Sequence, residues 1–294
     1  MQENIHEEEI KAVAPSSLWR DAVKRFYKNK TAVVALIVLF IMALAAIFAD
    51  YLTPYGPYDS ELSQVKAGPS WAHPMGCDEN GRDILTRILY GARISLSVGI
   101  ISVLISTIMG SAIGLISAYY GGNIDALLSR LMEMIQSFPS ILLAIIFMSV
   151  FGRGIENAVI AIAVVSIPGP ARIIRSSALS AKENDYVTAA HAIGCSDLRI
   201  MFKHILFNIL APIIVNATMS VSGAILSLAS LGFLGLGVQP PTPEWGAMLA
   251  AARQFIRQAP HLVIFPGVAI AITVLALNLM GDGLRDALDP KLKN

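Results

Sequence analysis

The side chains that could do covalent chemistry are few and scattered. The five histidines stand at 6, 73, 191, 204 and 261, and no two share a spacing that would pair them as metal ligands. His6-Glu7 does not extend to the HExxH of a zinc hydrolase. No Gly-Lys dipeptide occurs, so no phosphate-cradling loop for ATP is present. No GxSxG nucleophile elbow occurs either. Cys77 and Cys195 are too few for a disulfide framework. The chain therefore reads as a non-enzyme that binds no cofactor or metal of its own. Any uphill work it performs must draw energy from another subunit.

The remaining chemistry is hydrogen bonding inside apolar segments. Asn216, Ser222 and Asn278 are the candidates for a substrate path. Ser102, Ser106, Thr107, Thr218 and Thr273 are of the same type. The alternative for each is a hydrogen bond between packed helices. Charge inside these segments is nearly absent. Glu133 follows Arg130 by one helical turn, which suits an ion pair at a helix end. Nothing buried could carry a coupling proton or sodium ion, which argues against an ion-driven carrier.

One polar loop, at about 176–207, has an organisation of its own. Asn184-Asp185 can cap a short helix over Tyr186 to Ile193, and Gly194 suits its left-handed stop. Ser196-Asp197 can cap the next helix, from Leu198 onward. Ala189, Ala190 and Gly194 are small enough for a partner's backbone to approach. A solvated hairpin is the equally open alternative.

These segments must sit in a bilayer. Of 294 residues, 55% are hydrophobic and 15% charged, against about 25% charged in soluble domains. Mean hydropathy is +0.62. A soluble enzyme and a disordered chain are both excluded. The net charge of +1 leaves no basic excess for nucleic acid. Gaps between charges define six apolar windows: Thr31–Ala49, Ile94–Ile124, Met134–Gly152, Asn157–Ala171, His204–Pro243 and Gln258–Gly281. A spanning helix needs about 20 apolar residues. The fourth window borrows flanks to cover Asn157 to Ile174. The fifth reads as one helix, about Asn208 to Leu234, followed by a Gly- and Pro-rich loop through Gly246. The expected fold is all-α with six transmembrane helices. Pro139, Pro168, Pro170, Pro212 and Pro266 suggest kinked, mobile spans.

An even number of spans puts both termini on one side. With the N-terminus inside, 15 of the 22 Lys and Arg residues fall in inner segments, which favours N-in and C-in. The expected layout is a cytoplasmic tail at 1–30, beginning with the acidic run Glu7 to Glu9, and a first span at 31–50. An external loop at 51–92, a five-helix core at 93–284 and a tail at 285–294 follow. The first span is an uncleaved anchor, too long for a signal peptide. Cys77 then lies outside and Cys195 inside, and the two cannot pair.

Five strings carry a family resemblance: HPMGCDENGRDILTRILYGARISL from His73, AYYGG from Ala118, DYVTAAHAIGCSDLRIMFKHIL from Asp185, SLGFLGLGVQPPTPEWGAML from Ser230, and NLMGDGLRDALDPKLK from Asn278. The chain resembles the inner-membrane permeases of bacterial ATP-binding-cassette importers of the dipeptide/oligopeptide type. The resemblance implies the MetI-like permease fold of type I importers. It places the loop as the counterpart of the motif Glu-Ala-Ala-x3-Gly-x9-Ile-x-Leu-Pro. Thr188 stands at the Glu position, followed by Ala189, Ala190 and Gly194. His204, Leu206 and Phe207 stand at the Ile, Leu and Pro positions. By that resemblance the coupling residues are Asp185, Tyr186, Thr188, Ala189, Ala190, Ile193, Gly194, Ser196 and Asp197, docking on a cytoplasmic ATPase.

The implied partners are a second, different but homologous permease, two ATPases that bind ATP and Mg, an external substrate-binding protein and the lipid bilayer. The implied location is the bacterial inner membrane, with both termini cytoplasmic. Dipeptides or short oligopeptides are the expected substrate. Glutathione, nickel chelates, some sugars and other small solutes remain open, and the lack of a Cys or His cluster in the spans favours peptides. A non-transporting assembly protein and a secondary carrier are the readings of other classes.

Overall fold

The structure, a computed structural model, describes residues 18–288. Glu7 to Glu9, the rest of the tail before Leu18 and the last six residues of the C-terminal tail lie outside the described residues.

The described residues are mostly helical. The basic segment forms α1, Leu18–Lys28. Asn29 starts α2, Lys30–Ile47, by accepting from Ala32 N at 3.2 Å. A single turn, α3, Ala49–Leu52, leads into the loop before α4. Asp83 caps α4, Ile84–Tyr120, accepting from Thr86 N at 2.7 Å. Its 37 residues extend about 55 Å, well beyond a hydrocarbon layer of about 30 Å. The helix starts before Arg93, the expected boundary, and carries Arg87 and Arg93 in its N-terminal part. Arg87 donates to Pro57 O and Pro241 O at 3.0 and 3.2 Å, tying the loop before α4 to a later one.

The third window is not a straight span. It takes in only the last residues of α5, Gly122–Gln136, then the break at Pro139 and all of α6, Ser140–Phe151, and the two helices meet at 87°. Pro139 sits at the break, where it cannot donate an N–H to continue α5. With 12 residues, α6 reaches only about 18 Å. Five helical runs are long and apolar enough to cross a membrane, or six with the bent pair taken as one. Arg130 and Glu133 do form an ion pair, at 3.0 Å on the exposed side of α5.

The fourth span is longer than its window. Helices α7, Ile155–Ser166, and α8, Pro168–Lys182, run on as 28 residues. Pro168 and Pro170 occupy the first turn of α8, where missing N–H groups cost little. After two short helices, α9, Asp185–Ala192, and α10, Asp197–Arg199, the chain passes through a π-helical turn Ile200–Ile205 and a 3-10 turn Leu206–Ile209. It then enters α11, Leu210–Phe233. Pro212 is the third residue of α11. Among the described helices only α13, His261–Leu288, holds a proline well inside, Pro266. Most of the expected kinks are thus helix starts.

The Gly- and Pro-rich tail of the fifth window is not all loop. It closes on α12, Trp245–Ala252, whose cap is Glu244. Glu244 is 0% exposed and accepts from Gly246 N and Ala247 N at 2.9 and 2.8 Å. Trp245 donates to Ile88 O at 3.1 Å, fixing α12 to α4. Burial holds the Glu244 carboxyl above the usual carboxylate range. Folded-state protonation is thereby favoured, so this group's contribution is fullest at low pH and declines as pH rises through its raised pKa. The expected result is that Glu244→Gln, which keeps one of the two accepting oxygens, lowers thermal stability in detergent by less than loss of the whole cap does. Glu244→Ala removes the cap and lowers stability by about 1–2 kcal/mol.

Candidate functional site

The loop expected at about 176–207 is anchored to the bundle on one face and bare on the other. Val187 and Ala190 of α9 are buried with Ile200, Met201 and Ile205, against Leu115 and Tyr119 of α4 and Ile174 and Ala178 of α8. Tyr119 organises the polar side. Its hydroxyl donates to Asp197 Oδ1 at 2.7 Å, and its ring stacks on His191 at 6.0 Å and 17°. Lys182 Nζ donates to Tyr119 O at 2.6 Å. A bidentate pair, Arg175 Nε and a terminal guanidinium nitrogen on Asp125 at 2.6 and 2.5 Å, ties α8 to α5 just above. The Ser117 hydroxyl of α4 joins the same carboxylate.

The turn between the short helices follows from Gly194. Its φ is +76°, a conformation that a side chain would strain. Gly194 N donates to His191 O at 3.0 Å and Cys195 N to Ala190 O at 3.1 Å, closing the end of α9. Asn184 precedes α9 but does not cap it. Its side chain donates back to Ser180 O and Ala181 O at 3.1 and 3.0 Å, finishing α8. Ser196 precedes α10 without a side-chain cap.

These contacts sort the expected coupling residues. Asp185, Tyr186, Thr188, Ala189, Ile193, Gly194 and Ser196 lie on the bare face. Ala190 does not, being 3% exposed and packed inside this chain. Its small size serves the chain's own core. Asp197 is exposed as a residue, with its carboxylate engaged by Tyr119. Within α9, α10 and the turn between them, the most exposed large apolar groups are Ile193, 80% exposed, and Leu198, 64% exposed. Leu198 and the Tyr119 anchor were not among the expected residues. The AYYGG string is the signal that contains the anchor.

Two of the three expected path residues meet, and the third stands apart. Ser222 Oγ lies 2.8 Å from Asn278 Oδ1 and 2.7 Å from Met219 O and can donate its one proton to either, the first bond joining α11 to α13. Asn216 lies on another face of α11, and its Oδ1 is enclosed without a partner. Of the other polar residues, Ser102 donates to Val159 O at 3.1 Å and Thr273 to Ala269 O at 2.7 Å. The first bond joins α4 to α7, and the second lies within α13. Among the described residues no group of three or more His, Cys, Asp or Glu could hold a metal. Both cysteines are free, and burial pushes the Cys77 thiol up to about 11.

Comparison with known proteins places this arrangement. Residues 110–294 match the family described as binding-protein-dependent transport system inner membrane component. Residues 17–69 match the N-terminal TM domain of oligopeptide transport permease C. The dipeptide transport system permease protein DppC of Alkalihalophilus pseudofirmus is 50% identical over 98% of this chain and 94% of its own. The glutathione transport system permease protein GsiD of Pectobacterium atrosepticum is 46% identical over 94% and 91%. An inward-facing structure of the MetNI methionine ABC transporter shares the fold, with a TM-score of 0.57 and 18% identity over 69% of this chain and 96% of that one.

Proposed function

The chain belongs to the family of binding-protein-dependent transport system inner membrane components, and on that premise we propose that it is a permease subunit of an ATP-driven importer of dipeptides and short oligopeptides. The observation that carries the proposal is the 50% identity to a dipeptide permease across 98% of the chain. The bare face of the inner loop supports it, because Ile193 lies before the apolar helical run Asp197–Phe233 and Leu198 at its very start, and both are large exposed apolar groups.

In this reading two cytoplasmic ATPases bind ATP and Mg and do all the hydrolysis. This chain has no ATP site and acts as the mechanical half. It sits in the bacterial inner membrane beside a second, homologous permease, and an external protein delivers the substrate. Both termini are cytoplasmic. Residues 1–30 form the tail, 31–50 the first span, 51–92 the external loop and 93–284 the core, with the coupling loop at about 176–207. Asp185, Tyr186, Thr188, Ala189, Ile193, Gly194 and Ser196 present the ATPase-facing surface, Ala190 holds that surface from within, and Asp197 pins it to Tyr119. ATPase closure favours one bundle state by binding it more tightly.

Glutathione is the second reading, favoured by the 46% identity to a glutathione permease. Purification from native membranes in mild detergent is expected to recover a second permease and two ATPases. The reconstituted complex, with its binding protein, is expected to take up labelled dipeptide and to resist competition by glutathione. Recovery of the chain alone refutes the importer. Uptake blocked by glutathione and not by dipeptides selects the second reading.

A further inference from the structure

Helix α11 carries no charged residue, yet one of its faces is polar along its length. Asn216, Ser220, Gly223, Ser227 and Ser230 recur at spacings of four, three, four and three, which places them on one side of a helix. They extend over about 21 Å. Gly223 is exposed and the other four are partly exposed, whereas Ile225, Leu228 and Leu231 on other faces are buried.

Apart from Ser230, the polar groups on this face are not consumed by the chain itself. Thr218, Ser222 and Ser230 turn their hydroxyls to the carbonyls of Ile214, Met219 and Leu226. Among the described residues, the hydroxyls of Ser220 and Ser227 take no such partner. The Asn216 carbonyl oxygen is enclosed and unpaired. Close packing does not explain the glycine, since a Cβ at Gly223 would meet nothing within 4 Å.

Hydrocarbon is a poor cover for such a face, because every unmet donor or acceptor in lipid is penalised. A partner helix has a better seat beside it. Leu226 and Phe233 form an exposed apolar shoulder along one edge of the strip. Resting on the importer reading, we propose that the shoulder meets the second permease and that Asn216, Ser220, Gly223 and Ser227 line the water-filled path. There, neutral hydroxyl and amide groups hydrogen-bond the main chain of the passing peptide. Because no charge lies on the strip, it recognises the backbone that all short peptides share.

The test uses the full complex in proteoliposomes, with Cys77→Ala and Cys195→Ser as background. Ser220→Cys and Ser227→Cys are compared with Leu275→Cys, an exposed apolar position on α13. A charged, membrane-impermeant methanethiosulfonate is expected to label the first two at least about tenfold faster than the third. Dipeptide with binding protein is expected to slow that labelling, and labelled complexes are expected to lose import. Labelling by a lipid-soluble maleimide alone overturns the inference in favour of lipid. Failure of both reagents, with ready disulfide cross-linking to the second permease, overturns it in favour of a dry helix seam. In both cases dipeptide uptake by the unmodified complex leaves the importer reading intact. If the unmodified complex takes up no dipeptide, the importer reading itself has failed and the inference falls with it.

Discussion

Replacing both Ile193 and Leu198 with Asp is expected to cut import more than about 30-fold while the chain stays folded in the membrane, since a lost binding hot spot of 2 kcal/mol or more has that effect. The size follows from the work the loop must transmit. Swinging a two-state bundle from 1:99 to 99:1 takes about 5.5 kcal/mol of differential binding. Fully burying one Ile or Leu side chain contributes about 1.5–3 kcal/mol. Ile193 and Leu198 are 80% and 64% exposed, so most of that burial is still to be gained. Two such anchors supply an energy of the required order, and the small residues around them, Ala189 and Gly194, supply little. Neither anchor belongs to the buried cluster that fixes the loop, so their loss leaves that cluster's residues in place. Ala190→Asp must behave differently. Ala190 is 3% exposed beside Ile200 and Met201, and a buried unpaired carboxylate there destabilises the loop itself. Its chain level falls along with import. Membrane abundance and ATPase activity, measured beside uptake, separate the two outcomes. Normal uptake by the double Asp variant means that the bare face is not where ATPase motion enters.

The sequence reveals these features unevenly, for physical reasons. Charge-free windows locate α2, α4, α11 and α13 because hydrocarbon tolerates so few charges. The same criterion is blind to direction. It counts the end of α5 and all of α6 as one straight window although the two helices meet at 87°, and only Pro139 hints at the break. It is equally blind to partners. Ser222 and Asn278 have the residue types of a pore lining, but their 2.8 Å bond joins residues 56 apart. Ala190 and Ala189 are identical in the sequence, and the difference between them is which face of α9 rests on Tyr119 and Ile174. Asn184 looks like a cap for α9, and it spends its amide on the helix before. The polar strip on α11 is legible as a spacing, yet its meaning depends on which hydroxyls the packed chain leaves unmet.

Helix α12 shows the opposite case, in which the composition of a loop conceals packed structure, and Gly246 is where the largest stability loss is expected. A Cβ on Gly246 would lie 2.3 Å from Ala229 O and 2.5 Å from Ala229 Cα. Both contacts are backbone atoms of α11, so no side chain can rotate away, and α12 must move off α11. That motion would pull Glu244 from its cap and Trp245 from its bond to Ile88 O, breaking several buried contacts at once. Overpacking alone costs about 1–3 kcal/mol. With the cap added, Gly246→Ala is expected to cost about 3 kcal/mol or more. Gly223→Ala adds the same methyl group on α11 with nothing within 4 Å. It is expected to hold or raise stability, because alanine is favoured over glycine in a helix by about 1 kcal/mol. Thermal unfolding of the two variants in one detergent decides the matter. Equal midpoints mean that the α11–α12 contact is loose, and that the Gly-rich segment is the flexible connection its composition suggests.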